Sequence, residues 1–146
     1  MGLLQNFSKP RGFFGRVISL LMNYGEHAKL GHWGMSFVEL PIQADILDLG
    51  CGGGGNLERW LERYPDAHVS GIDHSPVSVS IAEGWNEKAI SQDRCEVILS
   101  GVNKLPFRNE SFDAISSFES IYFWKNMDKA LAEAYRVLKP GGVLLL

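Results

Sequence analysis

The residues best suited to chemistry lie in the glycine-rich stretch DILDLGCGGGGN, residues 45–56. Its apolar half, residues 46–49, is typical of a buried strand, and the glycines directly after it indicate a tight turn. Glycine suits such a turn because it adopts positive φ, and because a ligand can approach the backbone where no Cβ intervenes. A ligand held there would face the N-terminus of the next helix, whose free N–H groups attract negative charge.

An acid, Asp73, ends the second predicted strand, residues 67–73. In open α/β sheets, ligands bind beyond the carboxyl ends of the strands, at the point where the strand order reverses. We therefore expect the glycine turn and Asp73 to meet. Because a carboxylate has two acceptor oxygens, it can bind both hydroxyls of a ribose. The combination predicts a cofactor that contains a nucleoside.

The glycine-rich stretch matches two sequence patterns, and each pattern predicts a different cofactor. G-x-G-x-x-G over residues 50–55, with Asp73 in the place of the ribose acid, favours an NAD-dependent oxidoreductase. D-x-G-x-G-x-G over residues 48–54 instead places an acid two residues before the first glycine. Such an acid would repel a pyrophosphate but could hold an ammonium group, directly or through water. S-adenosylmethionine offers that ammonium, a neighbouring carboxylate and a ribose, without a phosphate.

The elements that must position these residues alternate between strands and helices along the chain. Further strands are predicted at residues 95–99, 112–117 and 143–146, and helical apolar stripes separate them. One stripe, which Pro65 ends, consists of Leu57, Trp60, Leu61 and Tyr64, and another runs from Met127 to Leu138. Short apolar strands alternating with helices specify a parallel sheet covered on both faces. We predict an α/β fold, a Rossmann-like doubly wound sheet of about five strands in residues 41–146.

Residues 1–40 precede this sheet and are predicted to form a helical cap or lid. Phe14, Val17, Ile18 and Leu21 form a helical apolar stripe, and residues 23–35 combine glycines with aromatic and imidazole side chains. That mixture suits a segment that closes over a ligand. The alternative, an aromatic-rich segment packed as core, is the more frequent case.

Composition excludes several classes of protein. With 146 residues, 45% of them hydrophobic and 21% charged, the chain is typical of one ordinary globular domain rather than a disordered or membrane-spanning protein. A net charge of −3 provides no electrostatic footprint for nucleic acid. Two cysteines form neither a metal-binding spacing nor a disulfide framework, and no signal peptide precedes them. We predict no metal, no membrane partner and a cytoplasmic location.

From residue 45 onward the sequence resembles the class I S-adenosylmethionine-dependent methyltransferases, within them the small-molecule subgroup often labelled type 11. Five blocks in the family's order carry the resemblance: ILDLGCGGG at 46–54, GIDHS at 71–75, LPF at 105–107, SFD at 111–113 and RVLKPGG at 136–142. Residues 27–35 and 118–124 also resemble a bacterial branch of that family. The resemblance implies methyl transfer from S-adenosylmethionine to a small molecule, with S-adenosylhomocysteine as product.

The resemblance also implies a set of site residues. The cofactor-binding residues that it predicts are Asp48, Gly50, Cys51, Gly52, Gly54, Asn56, Asp73, His74, Ser75, Gly101, Val102 and Phe118. Residues 48–52 would hold the methionyl end, and Asp73 the ribose hydroxyls. His74 and Ser75 would lie beside the adenine, residues 100–102 along its other side, and residues 118–119 under the sulfonium.

Two features depart from the family's pattern. Many relatives have an acid in the place of Gly101, where it receives the adenine amino group. Here we expect that Asn103 or a backbone carbonyl substitutes, or that cofactor binding is weaker, because losing one bond of this kind costs ~1 kcal/mol. Family members also continue past the fifth strand with a helix and an antiparallel strand pair. We therefore expect that hairpin to be missing here, and an exposed sheet edge to favour a homodimer.

Methyl transfer does not require a conspicuous set of catalytic side chains in the sequence. An in-line displacement from a sulfonium depends mostly on positioning and on excluding water. An acceptor with a hydroxyl or protonated amine also needs a base, for which Glu119 and His27 are the candidates, with His32 a further one. The alternative for each His is a packing or surface residue, and the alternatives for the whole chain are the oxidoreductase and a non-catalytic, cofactor-binding fragment.

Overall fold

A computed structural model of the chain describes Val17, Leu20, Leu21 and residues 23–146. Phe14 and Ile18, half of the apolar stripe predicted near the N-terminus, lie outside the described residues, as does most of the first part of the predicted cap. Among the residues that are described, no helix is long and apolar enough to cross a membrane.

Five parallel strands form one sheet in the order β3-β2-β1-β4-β5. The strands are β1 (Asp45–Leu49), β2 (His68–Asp73), β3 (Cys95–Leu99), β4 (Phe112–Ser116) and β5 (Leu138–Leu145). The strand order reverses beside β1, which pairs with β2 on one side and with β4 on the other. This confirms the predicted Rossmann-like sheet, and it places the ligand-binding crevice of such sheets at the carboxyl end of β1.

In the described part of the chain outside residues 17–21, five helices and one 3-10 turn accompany the strands. The helices are α1 (Glu26–Met35), α2 (Gly55–Arg63), α3 (Pro76–Trp85), α4 (Glu87–Ser91) and α5 (Met127–Val137), and the 3-10 turn is Ile121–Phe123. Helix α3 begins with Ser75 as N-cap, whose hydroxyl accepts the Ser78 N–H at 3.4 Å, and with Pro76 as first residue. Neither α4 nor the 3-10 turn was predicted, because both are too short for a periodic pattern.

Two apolar cores cover the two faces of the sheet. Alternation along β1 sends Ile46 into one core and Leu47 into the other. The first core contains Trp60 of α2, and the second contains Ala134 and Val137 of α5. Since the helices bury their apolar stripes on opposite faces, the sheet is doubly wound, as predicted.

The fifth strand begins earlier than the sequence pattern predicts. Leu138, predicted as the end of the helix, pairs with Phe112 of β4, and Val143 pairs with Ala114. More residues of β5 than of β4 therefore lie between these two pairs, and the register shifts there. Gly141, with φ of +78°, supplies the left-handed conformation that such a bulge requires.

A charged pair on α5 holds the loop that follows β3. Glu133 accepts the Leu105 N–H at 2.7 Å, and Arg136 donates to the Leu105 and Phe107 carbonyls at 3.1 and 2.8 Å. The hydrogen bond from Arg136 lowers the pKa of Glu133 to about 2. The LPF and RVLKPGG blocks thus meet in space, and together they fix the start of the loop that borders the strand ends.

Replacing Trp60 tests how much this side chain stabilises the core beneath the strand ends. Its side chain is 0% exposed, and its Nε1 donates to the Ser116 hydroxyl at 3.0 Å. We expect Trp60→Phe to lower the free energy of unfolding by about 1–3 kcal/mol, because it removes this bond and leaves a void. Trp33→Phe, the same substitution at a side chain 63% exposed, should change stability by less than about 0.5 kcal/mol. Urea denaturation measures the free energy of unfolding of both variants, and equal losses in the two would contradict the assignment of Trp60 to the core.

Candidate functional site

A cavity of about 490 Å³ opens at the carboxyl ends of the strands. Its wall is formed by the turn after β1, the end of β2, the loop after β3 and residues 118–125 after β4. A cavity of this size is in the range that small-molecule and cofactor sites occupy. Its position at the reversal of strand order is the one predicted from the sequence.

The turn after β1 requires its glycines. Gly50, Gly52 and Gly54 have φ of +72°, +53° and +84°, in the left-handed region. A Cβ on Gly50 would come within 2.5 Å of the Ser120 hydroxyl, whereas a Cβ on Gly52 would meet nothing within 4 Å. Gly52 therefore leaves backbone accessible on the cavity wall, as a bound ligand needs.

Five N–H groups of this turn already have acceptors within the protein. Gly50 and Cys51 both donate to the Ile72 carbonyl, and Gly52 donates to the Asp73 carboxylate. Gly54 donates to the Cys51 carbonyl, and Gly55 donates to the side-chain amide oxygen of Asn23. All five donor–acceptor distances are 2.9–3.0 Å. A pyrophosphate bound by such a turn would need these same N–H groups. The arrangement therefore disfavours a dinucleotide.

Asp73 lies at the cavity, and each of its carboxylate oxygens accepts a backbone N–H. Oδ2 accepts the Gly52 N–H at 3.0 Å, and Oδ1 accepts the Ser75 N–H at 2.8 Å. Burial raises the pKa of Asp73, and the two N–H bonds oppose that rise. Because a carboxylate oxygen has two lone pairs, it can accept a hydroxyl besides a backbone N–H. The carboxylate can thus accept a diol, the function expected of it.

Asp48 lies beneath the turn rather than on the cavity wall. It is 2% exposed, and its Oδ1 accepts the Ser116 hydroxyl at 2.6 Å. Burial raises its pKa to about 7. The sequence pattern placed this acid at the mouth of the site. The structure places it under the turn instead, because the β1 register pairs Asp48 with Gly71 and Ser116 inside the sheet.

The other predicted cofactor-binding residues fall into two groups. On the cavity wall with Asp73 are Gly50, Gly52, His74, Gly101, Val102 and Phe118. Behind the wall, with Asp48, are Cys51, Gly54, Asn56 and Ser75. In this second group, burial raises the pKa of the Cys51 thiol, and Asn56 accepts a hydrogen bond from Arg59 at 2.8 Å. Their roles toward a ligand stay predictions.

The two predicted catalytic residues meet at the edge of the cavity. His27 of α1 contacts the Glu119 carboxylate through its Nδ1, and Glu119 itself lines the cavity. The Glu119 backbone has φ of +56°, a left-handed conformation that is uncommon outside glycine. His32, the further candidate, is exposed, and no hydrogen bond or ion pair joins it to Glu119 within the described chain.

Two serines fasten the loop that carries Glu119 to the end of β1. Ser117 and Ser120 both donate to the Leu49 carbonyl, at 3.1 and 2.8 Å. Gly34 of α1 packs on the same loop, since a Cβ there would come within 2.8 Å of the Phe118 ring. These contacts were not predicted, because single serines carry no sequence signal of their own.

Buried polar atoms without a hydrogen-bond partner in the described chain concentrate on this cavity. They are Ser78 Oγ, Asn103 Oδ1 and Trp124 Nε1, and all three residues line the wall. Buried polar groups are usually paired, so these atoms are available to a ligand. Together they offer an acceptor, a donor and a hydroxyl, which suits the polar edge of a heterocyclic base.

Asn23 is the site residue that sequence analysis missed most clearly. It is 5% exposed and bonds the glycine turn through its side-chain amide. Its partner Gly55 lies 32 positions later, at the start of α2. A helix cap is normally sought next to its helix, so no local pattern could have indicated this one.

Known proteins are similar to this chain over the region that forms the sheet and the cavity. Residues 47–146 match the family model described as a methyltransferase domain. Erythromycin 3''-O-methyltransferase of Saccharopolyspora erythraea is 36% identical over 102 residues, 70% of this chain and 33% of that protein. 24-Methylenesterol C-methyltransferase 2 of Arabidopsis thaliana is 38% identical over 109 residues, 75% of this chain and 30% of that protein. The chain thus spans about a third of the length of these curated relatives.

Solved structures share the fold. The [4+2]-cyclase SpnF superposes with a TM-score of 0.74 at 29% identity, over 81% of this chain and 43% of that one. A SAM dependent methyltransferase from Aquifex aeolicus gives a TM-score of 0.73 at 23% identity, over 86% of this chain and 68% of that one.

The buried acid makes stability depend on pH. Because burial raises the pKa of Asp48 from 3.8 to about 7, the native state keeps a proton that the unfolded chain releases between these values. Its contribution to stability therefore falls as the pH rises through that window. Asn cannot ionise, so we expect Asp48→Asn to gain stability over the wild type at pH 8 relative to pH 5.

Urea denaturation at both pH values measures this difference. Asp66→Asn, at an exposed position, should keep the pH dependence of the wild type. An unchanged pH dependence in Asp48→Asn would show that Asp48 titrates normally.

Proposed function

The chain belongs to the methyltransferase domain family, and from that premise we propose that it transfers a methyl group from S-adenosylmethionine to a small-molecule acceptor. One observation carries the proposal: the cavity combines a carboxylate at the end of β2, Asp73, with a glycine turn in which five N–H groups already have acceptors within the protein. Such a site favours a nucleoside without phosphates. Relatives named for methylating erythromycin and sterols support a small-molecule acceptor.

The residues present fit this cofactor part by part. Asp73 would hold the ribose hydroxyls, with His74 beside the base. Asn103, whose Oδ1 is buried and without a partner in the described chain, would accept the adenine amino group in place of the acid that relatives carry at Gly101. Trp124 Nε1, a buried donor on the same wall, would bind a ring nitrogen of the base. When bound, the cofactor supplies a methyl group on a positively charged sulfur.

Asp48 acts from beneath the turn in this proposal. Its side chain is buried at the end of β1, two residues before Gly50, and in its ionised form it would attract the methionyl ammonium through water or through its field. The hydroxyl of Ser116 holds the carboxylate in place at 2.6 Å. The glycine turn, with Gly54 and Asn56 supporting it from behind, would position the methionyl end.

Glu119 is proposed as the base for an acceptor that must lose a proton. It is the carboxylate on the cavity wall nearest in sequence to Phe118, which the family pattern places under the sulfonium. His27 is proposed as the residue that positions this carboxylate, because its Nδ1 contacts Oε2. The strained backbone at Glu119 supports a functional role, since such strain concentrates at active sites.

The same observations give less support to the alternative functions. An NAD-dependent oxidoreductase would need turn N–H groups that the protein itself occupies. The fold alone does not specify chemistry, since one similar structure is a [4+2]-cyclase. A cytoplasmic location, a division at residue 40 and a homodimer through an edge strand stay predictions.

Calorimetry and a methyl-transfer assay test the proposed function. We expect S-adenosylhomocysteine to bind and NADH not to bind, and labelled methyl groups to pass from S-adenosylmethionine to a member of an acceptor library. Binding of NADH without binding of S-adenosylhomocysteine would overturn the cofactor. Cofactor binding without transfer to any acceptor would favour the non-catalytic alternative.

Removing the ribose carboxylate should weaken cofactor binding. We expect Asp73→Ala to raise the Kd for S-adenosylhomocysteine by about tenfold or more, because hydrogen bonds to a charged acceptor are lost. Asp66→Ala, the same change at an exposed position, should leave the Kd unchanged. Equal Kd values for Asp73→Ala and wild type, by calorimetry, would remove Asp73 from the site.

Neutralising the proposed base should affect turnover more than binding. We expect Glu119→Gln to lower kcat for a hydroxyl or amine acceptor by about 100-fold, while the Kd for S-adenosylhomocysteine changes less than about twofold. Glu62→Gln, at an exposed position, is the matched control. A normal kcat in Glu119→Gln would assign proton removal to solvent or to another group.

A further inference from the structure

Three large side chains on the cavity wall have no role in the proposed cofactor site or in proton removal. They are Lys104 in the loop after β3, and Phe123 and Lys125 in the segment after β4. Both lysines are exposed, and Phe123 keeps 44% of its surface accessible. The wall thus offers two cations and an aromatic ring to a second ligand.

The two lysines have no counter-ion within the protein. In the described chain, no hydrogen bond or ion pair joins the Nζ of Lys104 or Lys125 to another residue. Lys139 shows the contrast, because its Nζ lies 3.1 Å from an Asp45 oxygen and 2.8 Å from an Asp113 oxygen. The charges of Lys104 and Lys125 are therefore available to a ligand in the cavity.

The two carboxylates on the same wall are bonded to other groups. Glu119 contacts His27, and Asp73 accepts the Gly52 and Ser75 N–H groups at 3.0 and 2.8 Å. Among the residues that the structure describes, neither carboxylate lies within ion-pair distance of a wall lysine. The cavity therefore keeps two unpaired cations although the chain as a whole has a net charge of −3.

Hydrogen bonds hold the backbone from which both lysines extend. The Ser100 hydroxyl donates to the Lys104 carbonyl at 3.2 Å. Asn126, directly after Lys125, caps α5 by accepting the Lys129 N–H at 3.0 Å. Because the backbone is already ordered, an anion that binds the two ammonium groups orders only the lysine side chains.

The proposed cofactor does not account for these cations. Its negative group is the methionyl carboxylate, and the proposed function assigns that end to the glycine turn. Its sulfonium is positive, so an anionic neighbour is attracted by the cofactor as well as by Lys104 and Lys125. The charge of the occupied cavity is therefore balanced best by an acceptor that is itself negative.

Phe123 gives this part of the wall an apolar surface. It ends the 3-10 turn Ile121–Phe123 and comes two residues before Lys125. Phe118 and Val102 line the same cavity. Covering such apolar surface removes it from water, which favours binding. A ligand that matches this wall therefore combines apolar surface with negative charge.

We propose that the methyl acceptor is an apolar molecule with one anionic group, a carboxylate or a phosphate. Lys104 and Lys125 bind the anionic group, and Phe123 contacts the apolar part. This proposal rests on the proposed function, since it names the class of acceptor for the same cavity. It assigns specificity to three residues that the family resemblance leaves without a role.

Probes that differ in charge test the proposal. The anionic probes are 2-naphthoate and 2-naphthyl phosphate, and 2-naphthamide is their neutral counterpart. Calorimetry gives the three Kd values for the chain saturated with S-adenosylhomocysteine, which fills the cofactor part of the cavity. We expect at least one anion to bind about tenfold more tightly than the amide, and the tighter of the two shows whether carboxylate or phosphate fits. No preference for either anion would overturn the proposal.

Variants of the lysines locate that preference. We expect Lys104→Ala and Lys125→Ala each to raise the Kd of the preferred anion by about threefold, and the double variant by about tenfold, without changing the Kd of the amide. Lys125→Arg should keep the wild-type preference, because it keeps the charge. Lys88→Ala removes an exposed lysine of α4 that does not line the cavity, and it should behave as wild type.

Phe123→Ala should instead raise the Kd of all three probes by a similar factor, because it removes apolar contact and no charge. A wild-type preference for anions in the double lysine variant would overturn the proposal. Binding of S-adenosylhomocysteine decides the proposed function separately. If that molecule does not bind, the proposed cofactor is wrong, and the same probes measured on the free chain still show whether the lysines select an anion.

Discussion

The site depends on how the protein satisfies the backbone of its own glycine turn. Four N–H groups of this turn, those of Gly50, Cys51, Gly52 and Gly55, bond to a carbonyl of β2, to Asp73 and to Asn23. Each of these bonds also joins two elements, so the turn connects β1, β2 and the segment before α1. The same bonds therefore stabilise both the turn and the contacts between these elements.

Beneath the turn, a chain of buried polar groups supports the carboxyl end of β1. Trp60 donates to Ser116, and Ser116 donates to Asp48. Buried polar groups of this kind stabilise a structure only when each has a partner, and here they do. Ionisation of Asp48 above about pH 7 would place a charge among these buried polar groups, so the stability of the turn depends on pH.

The cavity wall differs from the layers beneath it, because its polar atoms are not all used. Asn103 and Trp124 contribute buried atoms without partners in the described chain. Glu119 lies on the same wall, held by His27 and by a loop whose serines bond to the Leu49 carbonyl. Asn103 belongs to the loop after β3, whereas Trp124 and Glu119 both belong to the segment after β4.

Local pattern in the sequence determined the alternation of strands and helices, the glycine turn and the acid at the end of β2. These features follow from hydrophobic periodicity and from the φ values that only glycine adopts freely, and both act over a few residues. Tertiary structure alone decided that Asn23 caps α2, that Asp48 is buried and that His27 meets Glu119, 92 positions away. Those outcomes depend on how separate elements pack, and packing distances are not encoded in any single stretch of the chain.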